Sequence, residues 1–405
     1  MQGLLPAALS SLPLLRPSFG ALACASAVFT VGFSLYALAA APRLLRRRPH
    51  AKGPEPTPPV TILKPIKGLD REMEENLSGF LEQDYPRYQV VFCLQDADDP
   101  ARPLLERLKA AHPQVEVDIV VSRGRIGYNP KINNLSNSTP FIRHDLLMIS
   151  DSDVRVEPDF LRRVVRPLED HRVALVTCFY QSQRASGAGA ILESLSINAH
   201  FLPQALAAAA GGMRFAMGAV MLVRRAAFDR IGGFSALSHH LADDFLLGHL
   251  LQAQGWRIAV ADVVVASVPD EWSIPEHIHH LVRWARTIRI CHPSGYLGSG
   301  ILYGFPLLLL DILLFGPSPW KVQLLLLSAL ARAALVARLH MAWLGNREIL
   351  RQLPLLPVSD CIQFAAWLGG FRSHRVHWRG ETYALRANGR LEPLGGPAEG
   401  LAAAL

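Results

Sequence analysis

The apolar residues of this chain gather at its two ends, and that distribution limits the folds open to it more than any motif does. Residues 21–41 carry no charge and are about long enough to cross a bilayer. Further apolar stretches occupy 301–315, 322–343 and 353–371. Half of the 405 residues are hydrophobic and only 19% are charged. With the apolar share placed this way, membrane segments flank a soluble middle. The expected organisation is an N-terminal membrane anchor (1–52), a Pro-rich linker (53–59) and a middle domain (60–292). C-terminal transmembrane or interfacial helices (293–372) and a basic tail with a disordered end (373–405) complete it.

Charge sets the expected orientation. Arg43, Arg46, Arg47, Arg48 and Lys52 follow the first apolar stretch, and such clusters stay on the cytoplasmic side. A cleaved signal peptide is the rival reading, because Ala37-Leu38-Ala39 resembles a cleavage site. The length of the stretch and the position of the charges behind it favour a retained anchor. The chain is therefore expected in the cell membrane, multi-pass, with its middle domain facing the cytoplasm. Asp311 interrupts the first C-terminal stretch, and Arg332 and Arg338 interrupt the second, so neither is a clean span. If all three cross, the tail lies outside. If one is only interfacial, the basic residues 372–379 remain in the cytoplasm, as the charge rule favours.

The net charge of +7 raises the question of nucleic acid, but the arginines sit beside apolar segments, where anionic headgroups account for them. No zinc-finger or basic-helix pattern is present, and no nucleic-acid partner is expected. Cys24, Cys93, Cys178, Cys291 and Cys361 are odd in number, widely spaced and mostly within apolar runs. They read as reduced core or membrane residues.

In the middle domain, strand-like runs at 60–63, 89–94, 115–121 and 146–149 alternate with helix-like stretches at 72–82, 103–111 and 158–168. Such alternation builds an α/β domain around a parallel sheet with helices on both faces. Further strands are expected at 174–179, 216–223 and 257–261. The Ala- and Leu-rich stretch 187–210 is either an amphipathic packing helix or an element resting on the bilayer.

Four polar landmarks fall at strand ends or loops: Gln95-Asp96-Ala97-Asp98-Asp99-Pro100, Asn129-Pro130-Lys131-Ile132-Asn133-Asn134, Asp151-Ser152-Asp153, and Ala242-Asp243-Asp244. The third follows the apolar run 146–149, so its carboxylates leave the sheet where α/β folds place ligands. Two acids one residue apart suit a hard divalent cation, Mg²⁺ or Mn²⁺, completed by phosphate oxygens and water. Alone, each landmark also fits a capped turn or a helix start.

Together with Leu63-Lys64-Pro65-Ile66-Lys67-Gly68, Asp84-Tyr85-Pro86, Gly232-Gly233, Gly255-Trp256-Arg257 and Arg283-Trp284, the landmarks resemble the ceramide glucosyltransferase family. The motifs occur in the family's order from about Val60 to Trp284, with a weaker echo at Trp378-Arg379-Gly380. Bacterial hopanoid-associated glycosyltransferases are close relatives that these motifs do not separate. The resemblance implies a glycosyltransferase A fold, Rossmann-like, and transfer from a UDP-sugar to a lipid hydroxyl, ceramide or a hopanoid polyol, with inversion. It implies a nucleotide-sugar set of Lys64, Asp99, Lys131, Asp151, Arg283 and Trp284, a catalytic base at Asp244 and an acceptor residue at His200. Asp151 and Asp153 are the expected metal ligands. His280 departs from the family, which usually shows Gln or Arg there, whereas Asp153 completes an Asp-x-Asp that some ceramide glucosyltransferases lack.

Chemistry gives independent reasons for these roles. An alcohol is too weak an acid to ionise unaided, so its attack needs a carboxylate base, and the like charge of Asp243 raises the proton affinity of Asp244. The departing diphosphate needs fixed cations, for which Lys131 and Arg283 are available. Three further readings compete. A processive polysaccharide synthase shares the fold but usually has more membrane helices. A catalytically dead nucleotide-sugar scaffold would not need every proposed acid. A transporter would need a larger helix bundle. The cluster His277, His279 and His280 lacks the acids or cysteines of a metal site.

Overall fold

The computed structural model describes residues 4–46, 56–212, 215–378, 381–386 and 389–394. Arg47, Arg48, Lys52, residues 53–55, Arg379-Gly380 and the tail beyond 394 lie outside the described residues. A long helix, α1 (Leu4–Leu44), comes first, and the alternating part follows: β1 (Val60–Ile66), α2 (Met73–Leu81), β2 (Tyr88–Leu94), α3 (Arg102–Ala111), β3 (Glu116–Val121) and α4 (Pro130–Ser136). Next come β4 (Leu146–Ser150), β5 (Val154–Arg155), α5 (Phe160–Val165), β6 (Val173–Ser182), and α6 (Ala188–Leu195) joined to α7 (Leu202–Ala210) by a π turn at Ser196–Phe201. The domain ends with β7 (Val220–Arg224), α8 (Arg225–Arg230), α9 (Gly233–Leu237), α10 (Asp243–Ala253), β8 (Arg257–Ser267) and α11 (Ile274–Cys291).

One eight-stranded sheet organises these elements, in the order β3-β2-β1-β4-β7-β6-β8-β5. Both faces are covered, so the central strands are apolar throughout rather than alternating. On β2, Val90, Phe92 and Leu94 enter one core while Val91 and Cys93 enter the other; on β4, Leu146 and Met148 oppose Leu147 and Ile149. Each such side chain contributes about 1.5–3 kcal/mol by leaving water.

The expected parallel pairing holds among β3, β2, β1 and β4, and again between β6 and β8. β7 runs antiparallel to both β4 and β6, and β5 antiparallel to β8, so the sheet is mixed. Connectivity explains the reversal: β6 ends at Ser182, the chain passes through α6 and α7, and β7 starts beside the end of β4, with Val220 opposite Ser150. The chain leaves and re-enters at one edge, so β7 must run back.

After the domain come α12 (Pro293–Gly298), α13 (Gly304–Phe315), α14 (Pro319–Leu339), α15 (Ile349–Gln352) and α16 (Leu356–Gly370). Among the described residues, two helices are long and apolar enough to cross a membrane, Pro17–Leu44 and Pro319–Leu344. A third span is possible if Pro293–Leu302 and Gly304–Phe315, bent by 63°, count as one broken helix. α1 packs on α7, α13 and α14. Ser26 and Thr30 donate to the carbonyls of Ile301 and Leu302 at 2.7 and 3.0 Å, closing the break before α13. A Cβ on Gly304 would lie 2.4 Å from the Ala27 Cα, so only glycine allows this approach. Ala41 and Leu45 join Phe179, Leu202, Leu206 and Leu339 in one apolar cluster that ties the membrane helices to the sheet.

The basic tail shows no strand pattern in its composition, yet it folds in part. β9 (Arg375–Trp378), β10 (Glu381–Leu385) and β11 (Leu391–Pro393) form a three-stranded antiparallel sheet. It packs on Tyr128, Leu241 and Ile290.

Candidate active site

Local structure brings the expected carboxylates and cations to one edge of the sheet. Asn129 caps α4 by accepting from the Ile132 amide at 3.1 Å, Pro130 occupies the first turn, and Lys131 is thereby aimed at β4. Its ammonium lies 2.7 Å from Asp151 Oδ1 and 3.7 Å from Asp243 Oδ2. Burial alone would lower the Lys131 pKa, but Asp151, Asp243 and Asp244 outweigh it and raise it. Asn129 also donates to the His240 carbonyl at 2.8 Å, fastening the Lys131 loop to the one before Asp243. Asn134 donates to the Cys93 carbonyl at 2.6 Å, so this motif is a structural clasp as well.

Lys64 lies under the carboxylates rather than among them. Fully buried, its ammonium donates to Ser150 Oγ at 3.2 Å and to the Asp151 carbonyl, and it stands 3.7 Å over the Phe80 ring. Burial pulls its pKa down to about 7 against the pull of Asp153, Asp151 and Asp70. Lys64 thus supports the Asp151 backbone from below. Asp153 accepts from Ser267 Oγ at 2.6 Å. Burial, with Asp151 and Asp70 adding negative charge, pushes its carboxyl up to about 6. Asp70, which sequence reasoning passed over, accepts from Ser152 and belongs to the same group.

Asp243 and Asp244 open α10, where Asp244 accepts from the Phe245 amide at 2.7 Å. Burial, then the Asp243 charge, raises the Asp244 carboxyl to about 6. Its side chain faces a largely apolar cavity of about 290 Å³ lined also by Tyr180, Phe201, Phe215, Met217, Ile288, Arg283 and Trp284. A half-buried carboxylate in an apolar chamber, with an arginine at its rim, is placed to take a proton from a bound hydroxyl.

Asp99 is buried and accepts from Gly68 at 2.9 Å and from Ala101 at 2.9 Å, holding together the loops that follow β1 and β2. Beside these loops a more polar cavity of about 280 Å³ is lined by Lys67, Gln95, Asp96, Arg123, Arg125 and Tyr128. It lies over the ends of β1, β2 and β3, and the next strand of the sheet is β4, after which Asp151 follows.

His200 lies apart from these residues. It sits in a buried cluster with Arg332 of α14 (3.2 Å) and Asp360 of α16 (3.1 Å), and it does not line the Asp244 cavity. His280 stacks edge-on between Trp272 and Trp284, at 4.5 and 4.7 Å, and lies 3.4 Å from Glu193. Glu193 also meets His277 at 2.8 Å. Burial works to raise its pKa, but the two histidines outweigh this and hold it down at about 2. His277 and His280 therefore brace α11 and orient Trp284. The pairing was invisible in the sequence because Glu193 lies about a fifth of the chain away; only the i, i+3 spacing of the histidines hinted at a shared face.

Oxygen-only donors at Asp151 and Asp153, with the charges of Asp151 and Asp70 crowding Asp153, fit a hard divalent cation. Among the described residues no three His, Cys, Asp or Glu side chains converge into a complete cage. Such an ion would therefore draw its remaining ligands from phosphate and water.

The arrangement defines a glycosyltransferase A domain fastened to membrane helices. The chain matches glycosyl transferase family 21 over residues 22–391 and belongs to that family. Ceramide glucosyltransferase 1 of Caenorhabditis elegans is 26% identical over 270 residues, covering 66% of this chain and 58% of the relative. The ceramide glucosyltransferase of Komagataella phaffii is 37% identical over 121 residues, covering 28% of this chain and 24% of the relative. The chain thus spans little more than half of the nematode relative's length. A mannosyltransferase of Pyrobaculum calidifontis, solved with GDP-Man and Mn²⁺, aligns with 21% identity and a TM-score of 0.49, over 86% of this chain and 99% of its own.

Proposed function

We propose that this chain is a membrane-bound inverting glycosyltransferase that moves a hexose, glucose or N-acetylglucosamine, from a UDP-sugar to a lipid hydroxyl such as that of ceramide. The observation that carries the reading is the position of Asp244: one wall of its chamber is apolar and bordered by Arg283 and Trp284, and Lys131 bridges Asp243 to Asp151. A lipid headgroup entering from the membrane side would bring its hydroxyl to Asp244, while the donor lies across the ends of β1–β4. Asp244 takes the hydroxyl proton as the oxygen attacks the anomeric carbon; the bond to UDP breaks on the opposite face, and UDP departs with the bonding electrons. Lys131 and Arg283 offset the diphosphate charge, and Asp99 fixes the nucleotide loops. Asp151 and Asp153 would hold a divalent ion, which when bound neutralises part of that charge. In this reading residues 60–292 form the cytoplasmic catalytic domain, and His200 with Arg332 and Asp360 lies on the acceptor side.

The test is transfer by the full chain in lipid nanodiscs, with UDP-glucose or UDP-N-acetylglucosamine, ceramide or a hopanoid polyol, and Mg²⁺ or Mn²⁺. Mass spectrometry of the lipid product identifies both sugar and acceptor. Absence of any glycolipid across the panel rejects the reading.

A further inference from the structure

The polar cavity over β1, β2 and β3 has a second wall that comes from the far end of the chain. Besides Lys67, Asp96 and Arg125, it is lined by Glu381 and Tyr383 of β10. We propose that the C-terminal sheet is a working wall of the donor pocket, and that Glu381 recognises the ribose hydroxyls of the nucleotide. The inference rests on the reading of the site as a nucleotide-sugar site.

Strand order supplies the placement. The carboxylates of Asp151 and Asp153 follow β4, and β1, β2 and β3 lie successively beyond it. A nucleotide whose diphosphate lies at β4 extends its nucleoside over those three strand ends, into the cavity. At about 280 Å³ the cavity suits a nucleoside better than a whole nucleotide sugar.

Chemistry supplies the role. The Tyr383 hydroxyl donates to Glu381 Oε2, and the Arg125 guanidinium lies 3.6 Å from Oε1. These contacts hold the carboxylate at the cavity and offset its charge, so it does not oppose an anionic ligand. A fixed carboxylate with free lone pairs suits the paired hydroxyls of a ribose, as acidic residues do in dinucleotide folds. The wall is also secured. The Leu391 amide donates to the His239 carbonyl at 2.7 Å, the Leu241 amide donates to the Gly389 carbonyl at 3.2 Å, and Tyr383 packs 6.2 Å from Tyr128. His239 and Leu241 lie directly before Asp243, so the wall is fastened to the segment that carries the proposed base.

The experiment measures binding of UDP and of 2′,3′-dideoxy-UDP to the full chain in nanodiscs by calorimetry with Mn²⁺. Wild type is expected to prefer UDP by about ten-fold or more, the size of a hydrogen bond to a charged group. Glu381→Ala should weaken UDP about ten-fold and erase that preference. Tyr383→Phe keeps the ring in its apolar cluster and removes only the positioning hydroxyl, so the preference should shrink without loss of folding. Unchanged UDP affinity and unchanged preference in Glu381→Ala overturn this inference alone. A wild type that binds no UDP overturns it together with the donor assignment.

Discussion

At the residue scale, the proposed chemistry turns on one carboxyl whose affinity for protons is raised by burial and by a like-charged neighbour. A base must be ionised to work. As the proposed base, with its carboxyl raised to about 6, Asp244 should lose activity as pH falls, about ten-fold per unit below that value. A pH–rate profile should therefore show an acid limb near 6, and Asp243→Asn should move that limb to lower pH by removing the second cause of the shift. Asp244→Asn should lower turnover by about 10²–10⁴-fold while leaving UDP affinity nearly unchanged by calorimetry. A weakened UDP affinity with residual turnover would instead assign Asp244 to donor binding. Lys64 was expected among the donor residues, whereas its ammonium is turned inward to Ser150 and the Asp151 carbonyl. A motif names the residue, and only packing shows which way it faces.

At the element scale, α11 carries Arg283 and Trp284 and is held in place by side chains. Ser273 and Glu276 form a capping box at its start, and Glu193 clamps His277 and His280 on its inner face. Glu193→Ala should leave the fully buried His277 without this partner, costing about 1–3 kcal/mol and lowering the melting temperature. The elements differ in how far the sequence revealed them. β1, β2 and β4 were legible because a strand buried on both faces must be apolar along its whole length. The direction of β7 was not, since a strand's composition is the same whichever way it runs. The C-terminal strands were missed because they are short and carry Arg375, His377 and Glu381 on exposed faces. Of the residues proposed for the site, Asp151 and Asp244 stand out in the sequence by their order after strands and turns, whereas Asp70, Glu193 and Glu381 come close only through tertiary contacts between distant segments.

At the scale of the whole molecule, the anchor and the catalytic domain share packed surfaces. The cluster of Ala41, Leu45, Phe179, Leu202, Leu206 and Leu339 joins them, and the meeting of Gly304 with Ala27 sets how closely the membrane helices approach. Gly304→Val would force α1 away from α13. Melting of the detergent-solubilised variant should begin at lower temperature and lose the single cooperative step expected of wild type. The fastening of α1 and α14 to α7 and the sheet has one more consequence. On the proposed reading, a domain fixed at a constant height above the bilayer would meet a lipid acceptor by lateral diffusion alone. For a lipid acceptor, the quantity that governs saturation is then the mole fraction in the leaflet, and diluting the acceptor with inert lipid slows the reaction even when the total amount in the vessel stays the same.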